Sequence, residues 1–111
     1  MKYLKAILIE KLIDFFEKDY RRINHAISVL FECEQIIKKK KYYDTDLVTA
    51  CALLHDVGIK ESEKILGYND GKTQEQYGPK IAEKILKKIK FPGHKIIIVK
   101  QLDYCQPSLT L

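Results

Sequence analysis

The sequence contains no apolar run near the ~18 residues that a membrane-spanning helix requires, so we expect no transmembrane segment and no membrane partner. The opening stretch, MKYLKAILIEKL, is interrupted by Lys5, Glu10 and Lys11 and carries no small-residue cleavage site. A secretory signal peptide needs such a site, and these residues instead suit an amphipathic helix. We therefore predict a cytoplasmic protein.

Cysteine is scarce, and the common nucleotide-binding motifs are missing. The three cysteines, Cys33, Cys51 and Cys105, are widely spaced and form no CxxC pair. An odd and scattered set argues against a disulfide framework and against a thiolate zinc site. We expect reduced thiols, two of them in the core. The sequence also lacks a GxGxxG fingerprint and a P-loop, so neither phosphate-binding loop is predicted.

Negative charge is outweighed by lysine and arginine, and the formal net charge is +5. The basic residues include a run of four lysines at positions 38–41. Such a run suits nucleic acid, but it also suits a solvated helix end, where cations complement the helix dipole. No aromatics interleave with the run as base stacking would require, so we favour the helix end and expect no nucleic-acid partner. A phosphorylated small molecule or nucleotide would also suit a basic protein.

Apolar residues recur with helical periodicity through most of the chain. The first helix should bury Leu4, Leu8 and Leu12, which follow one another at four-residue steps. Asp19 should cap a second helix that runs from about Tyr20 to Lys39. The apolar face of that helix comprises Ile23, Ile27, Leu30 and Ile37, and is widened by Ala26, Val29 and Cys33. The length of 111 residues predicts a single domain over residues 1–111.

The second half of the chain is also predicted to be helical. Asp44 or Thr45 should cap a third helix, LVTACALLHD, which is apolar on nearly all sides and stops near Gly58. We expect a short fourth helix at KESEKILGY, a polar loop at NDGKTQEQYGP, and a helix with Pro79 in its first turn. The β-branched run at 96–99 fits a strand or a buried helix, and its helical context favours the helix. The prediction is an all-α fold of about five to six helices.

Only three histidines occur, at positions 25, 55 and 94, and two of them lie in apolar surroundings. His55 is followed by Asp56 at the end of the most apolar helix, and His25 is expected to face inward from the helix before it. Imidazole nitrogen and carboxylate oxygen together suit zinc, iron or manganese. The alternatives are an ordinary helix C-terminus for the pair and a core histidine for His25.

Two segments, INHAISVL at 23–30 and CALLHDVGIKESEKILGYNDGKTQEQYGPKIAEKIL at 51–86, resemble the HD-domain metal-dependent phosphohydrolase superfamily. They are most similar to a group of small bacterial HD hydrolases, and the resemblance covers roughly residues 20 to 90. It implies a compact HD-domain-like helical bundle with a divalent metal held between core helices. It also implies hydrolysis of a phosphate ester or nucleotide by a metal-bound water.

The resemblance assigns roles to particular residues. By position, His25, His55 and Asp56 match the metal ligands, and His55 and Asp56 would be catalytic. The identity of the metal stays open among Mn, Fe, Zn, Mg and Ni, because histidine and carboxylate suit several of these ions.

Four further residues match the family or suit its substrate. Lys60 and Lys72 could hold a phosphate as point charges. Gln74 and Glu75 match the family's loop and could orient water or substrate, which makes Glu75 a catalytic candidate and Gln74 a substrate-binding one. Solvated surface is the alternative for all four.

The sequence after Ile89 departs from the family pattern, in which a GHHHT-like histidine cluster and a later ligand aspartate follow. Asp103 is the only acid in this segment, and it is either a substitute metal ligand or a surface residue. We therefore expect a domain shortened at its C-terminal part, which is either a truncated or frameshifted family member or a shortened variant whose site is completed by water or by a partner chain. The alternative function is a degenerate, non-catalytic HD module that binds metal, nucleotide or a protein partner. A missing core helix would expose apolar surface, so we also predict self-association as a homo-oligomer.

Overall fold

A computed structural model of the chain describes residues 1–39, 44–59, 67 and 71–103, and only the backbone of residues 71–75, 102 and 103. The residues so described form helices and no strand, which confirms the all-α prediction for them. The helices are α1 (Leu4–Phe16), α2 (Tyr20–Ile37), α3 (Thr45–Leu54), α4 (Gly71–Lys88) and α5 (Gly93–Asp103). None of them is long and apolar enough to cross a membrane. The chain divides into two compact units, Met1–Leu53 and Leu54–Leu111.

In the first unit, α1 packs against α2. The predicted leucine stripe of α1 is confirmed, because Leu4, Leu8 and Leu12 are all buried, and Phe16 extends the stripe. An ion pair between Lys5 of α1 and Glu34 of α2 links the two helices at their surface. Burial of the leucines is the main stabilising contribution here, since an exposed ion pair adds little.

Helix α2 begins as predicted, but its buried face is narrower. The Asp19 carboxylate accepts a hydrogen bond from the Arg22 backbone N–H at 3.3 Å and so caps the helix. The buried residues of α2 are Ile23, Ala26 and Leu30. Ile27 was expected to join them, yet 37% of it is exposed. A four-residue step advances about 40° beyond a full turn, and this carries Ile27 from the centre of the buried face to its edge.

Helix α3 is capped by Asp44, whose carboxylate accepts a hydrogen bond from the Leu47 backbone N–H at 3.1 Å. Residues 50–54 are all buried, as expected of an apolar helix. The prediction that the helix continues through Asp56 is wrong, because α3 ends at Leu54 and residues 55–58 form turns. The Val57 N–H donates to the Leu54 carbonyl at 3.4 Å, and this shorter-range bond replaces the helical pattern.

Helix α4 contradicts the predicted loop at 69–79, because it begins at Gly71 and contains Pro79 in its interior. Its buried residues recur at three- and four-residue steps, as on one helical face; they are Gly78, Pro79, Ala82, Ile85 and Leu86. Packing of this face outweighs the local preference of glycine and proline for turns. The short helix predicted at KESEKILGY falls on residues 60–68, of which only Gly67 is described.

The junction between α4 and α5 is a Schellman-type helix end, and α5 confirms that residues 96–99 are helical. Lys90 adopts a left-handed conformation with φ 61°, and its N–H donates to the Lys87 carbonyl at 3.1 Å. The next N–H, of the buried Phe91, donates to the Leu86 carbonyl at 3.0 Å. This pair of bonds satisfies carbonyls that the helix end would otherwise leave without partners. A left-handed residue at this position is usually glycine.

Replacement of Lys90 by glycine is expected to stabilise the protein by about 1 kcal/mol, since the left-handed region strains residues that carry a Cβ. Thermal or urea unfolding of the variant checks this. The matched control is Lys84→Gly, at an exposed position inside α4, which should destabilise by about 1 kcal/mol. Equal effects of the two glycines would contradict the assignment of Lys90 as the helix cap.

In the second unit, α4 and α5 pack together and are joined by an ion-pair cluster around Glu83. The Lys100 ammonium of α5 donates to the Glu83 carboxylate at 3.0 Å, and Lys87 lies 3.3 Å from the other carboxylate oxygen. The hydrogen bond from Lys100, followed by that from Lys87, lowers the pKa of Glu83 from its usual value of 4.5. On α5 itself, Ile96 and Val99 are buried.

The lowered pKa of Glu83 predicts a pH-dependent contribution to stability. The contribution is fully present above the ordinary glutamate pKa and is lost as pH falls through the lower pKa of the folded state. The melting temperature of Glu83→Gln should therefore lie slightly below that of the parent at neutral pH and converge with it in acid. Glu10→Gln, at an exposed position of α1, is the control and should show no such convergence.

Cys33 and Cys51 carry thiols rather than a disulfide. Cys51 is buried in α3, as expected, whereas Cys33 on α2 is only half-buried. Partial burial, and then the negative charges of Glu32 and Glu34, raise the pKa of the Cys33 thiol. Its thiolate is correspondingly scarce at neutral pH, which lowers its reactivity. Cys105 lies outside the described residues.

Candidate metal centre

His55 and Asp56 lie in the turn that follows α3, within a stretch, 50–59, in which every residue is buried. Only 4% of His55 and 8% of Asp56 is exposed. Leaving polar groups of this kind buried costs free energy unless they have polar partners. The two side chains face each other, with the His55 Nε2 atom 3.2 Å from the Asp56 Oδ2 atom.

The separation of these two atoms suits ligands of a single metal ion. Histidine nitrogen and carboxylate oxygen each lie roughly 2.1 Å from zinc, so two such atoms on one ion are about 3.0–3.4 Å apart. The observed 3.2 Å falls within this interval. The end of α3 at Leu54 makes this approach easier, because adjacent residues of a continued helix would point about 100° apart.

His25 of α2 belongs to the same group. One ligand atom of each of His25, His55 and Asp56 can be chosen so that all three lie within 4.8 Å of one another. The expectation that His25 faces inward is wrong, because its side chain is exposed. The buried residue beside it is Ala26, and consecutive helical residues point about 100° apart, which carries His25 away from the core-facing direction of α2.

The donor set of the group is chemically suited to a divalent transition metal. Two imidazoles and one carboxylate form a common set for zinc, iron and manganese. Three protein ligands are also the number that catalytic zinc sites use, since the remaining position admits water or substrate. These three residues could therefore hold a metal ion.

The other predicted site residues stay predictions. Lys72, Gln74 and Glu75 lie in the first turns of α4, where the structure describes the backbone but not the side chains. Asp103 is the last residue of α5, and its side chain is likewise not described. Lys60 falls outside the described residues. The predicted loop around positions 72–75 is instead part of helix α4.

No family model matches the sequence, and the searches of curated proteins and of solved structures likewise return no match.

Proposed function

We propose that this protein is a metal-dependent phosphohydrolase of the HD-domain type that acts on a phosphate ester or a nucleotide. The observation that carries the proposal is the grouping of His25, His55 and Asp56, whose ligand atoms lie within 4.8 Å of one another. The same three residues match the family's ligand positions in the sequence. The distances between these side chains and the sequence resemblance therefore support the same three metal ligands.

The chain's own residues contribute ligands, burial and charge to this function. His55 and Asp56 would hold a metal from buried positions, where water is scarce and electrostatic interactions are stronger than at the surface. His25 would complete the ligand set from the exposed side of α2. When bound, a divalent metal lowers the pKa of a coordinated water and neutralises charge on a phosphoryl group.

Substrate recognition is assigned to basic and polar side chains of the same half of the chain. Lys60 and Lys72 would attract the phosphate, and the net charge of +5 also favours an anionic substrate. Gln74 and Glu75 would orient water or substrate from the first turns of α4. Positions 72 and 75 lie on the same side of α4, because residues three apart are neighbours on a helix.

Two measurements on the purified chain test the proposal together. Elemental analysis should find a transition metal at about one ion per chain, as a single three-ligand site implies. A panel of phosphomonoesters and nucleotides should then reveal phosphate release that depends on the metal and stops with a chelator. A sample that binds no metal from a series of divalent ions would refute the proposal. Bound metal without hydrolysis of any panel member would instead favour the non-catalytic module.

A further inference from the structure

One side of α2 carries a row of exposed residues that the proposed function does not use. The exposed fractions are 65% for Tyr20, 37% for Ile27 and 59% for Phe31, and the exposed Asn24 lies among them. The four positions follow one another at steps of four, three and four residues, so they form one straight row along the helix. We refer to Tyr20, Asn24, Ile27 and Phe31 as the outer row.

The outer row is distinct from the face with which α2 contributes to its own core. The buried residues Ile23, Ala26 and Leu30 lie about a quarter of a turn away from it around the helix. The outer row places a tyrosine, an isoleucine and a phenylalanine in water together. A helix face that stays solvated usually carries polar and charged residues instead.

Opposite charges flank the two ends of this row. Arg21 and Glu32 follow Tyr20 and Phe31 in sequence, so both lie about 100° around the helix from the outer row, on the side away from the core, and both are exposed. Arg21 and Glu32 are about three turns apart and on the same side of the helix. One margin of the outer row therefore begins with a positive charge and ends with a negative one.

The row and its charges are self-complementary when a second copy is turned end for end. The midpoint between Tyr20 and Phe31 lies within one residue of the midpoint between Arg21 and Glu32. A two-fold axis at this place sets Tyr20 against the partner copy's row near Phe31, and Arg21 against the opposite charge, twice over. A parallel pairing would instead gather both Arg21 residues at one end and both Glu32 residues at the other, without these opposite-charge pairs.

We propose that the protein forms a two-fold symmetric homodimer in which the α2 helices of two copies pack antiparallel through the outer row. Tyrosine and phenylalanine supply large apolar contacts at low conformational cost, and the symmetry doubles each of them. This proposal does not depend on the proposed phosphohydrolase activity.

The first test is the mass of the full-length chain by sedimentation equilibrium over a range of concentrations, for the parent and for Phe31→Glu. The parent should dimerise, and the variant should be monomeric at concentrations at least about 100-fold above the parent dissociation constant, since the dimer would bury the new charge. Ile97→Glu is the matched control, because Ile97 on α5 is 60% exposed and lies outside the outer row. A parent that stays monomeric, or a Phe31→Glu variant that still dimerises, overturns the proposal.

The second test exchanges the flanking charges and addresses the direction of pairing. Arg21→Glu should weaken the dimer by about tenfold, because it sets two acids against each other at both ends. The double variant Arg21→Glu with Glu32→Arg should recover most of the parent affinity. Failure of the double variant to recover, while circular dichroism shows both variants to be folded, overturns the antiparallel arrangement.

Discussion

Replacement of His55 by alanine is expected to weaken metal binding by on the order of 100-fold or more and to abolish phosphate release. Even changes to residues that only orient metal ligands cost about 10- to 100-fold in affinity, and His55 is itself a proposed ligand. Its loss leaves Asp56 buried without the Nε2 atom that lies 3.2 Å from its carboxylate. Metal content after dialysis against a weak chelator, and turnover of a phosphomonoester, measure the two effects.

Controls separate the loss of a ligand from the loss of the fold. His94→Ala removes an exposed histidine of α5 that lies outside the group, and it should change neither metal content nor turnover. His25→Ala should weaken metal binding with little change in melting temperature, because His25 is exposed. Unchanged turnover in a folded His55→Ala protein would exclude the proposed mechanism.

Replacement of Leu86 by alanine is expected to lower the free energy of unfolding by about 3 kcal/mol and the melting temperature by roughly 10–15 °C. Leu86 is fully buried on the apolar face of α4, so its truncation removes apolar contacts and leaves a cavity. Its backbone carbonyl also accepts the Phe91 N–H at the end of α4, where side-chain packing accompanies the bond. Urea and thermal unfolding measure the change.

Two substitutions on the same helix calibrate the Leu86 result. Leu86→Met keeps most of the volume and should cost less than about 1.5 kcal/mol. Lys84→Ala lies on the exposed side of α4 and should stay within about 0.5 kcal/mol of the parent. A Leu86→Ala effect no larger than that of Lys84→Ala would show that this face is not part of a packed core.

Local patterns predicted the helices wherever capping and periodicity agreed. Asp19 and Asp44 both act as the caps that their positions suggested, and the leucine stripe of α1 is buried. These features depend on neighbours within one or two turns of helix, and such neighbours are readable in a sequence. The β-branched run at 96–99 fits a strand as well as a helix. Its helical state was predictable only because the rest of the chain was predicted to be helical.

The errors arose where packing overrides local preference. Gly71, Gly78 and Pro79 are typical of turns, yet α4 runs through them, and its buried face continues from Gly78 and Pro79 to Leu86. The exposure of His25 was missed because an apolar neighbour in sequence is not a neighbour around a helix. The close approach of His55 to Asp56 depends on where α3 ends, and the sequence indicated an end near Gly58 rather than at Leu54.

Pro79 also removes one backbone hydrogen bond from α4. Proline has no backbone N–H, so the carbonyl of residue 75 receives no helical bond from four residues later. Unwinding of the first turns, which begin with Gly71, therefore breaks one bond fewer than it would in a proline-free helix. Local opening of α4 should therefore begin at its N-terminal end, before Pro79. The second half of α4, in which Ile85 and Leu86 are buried, should stay helical when the first turns open.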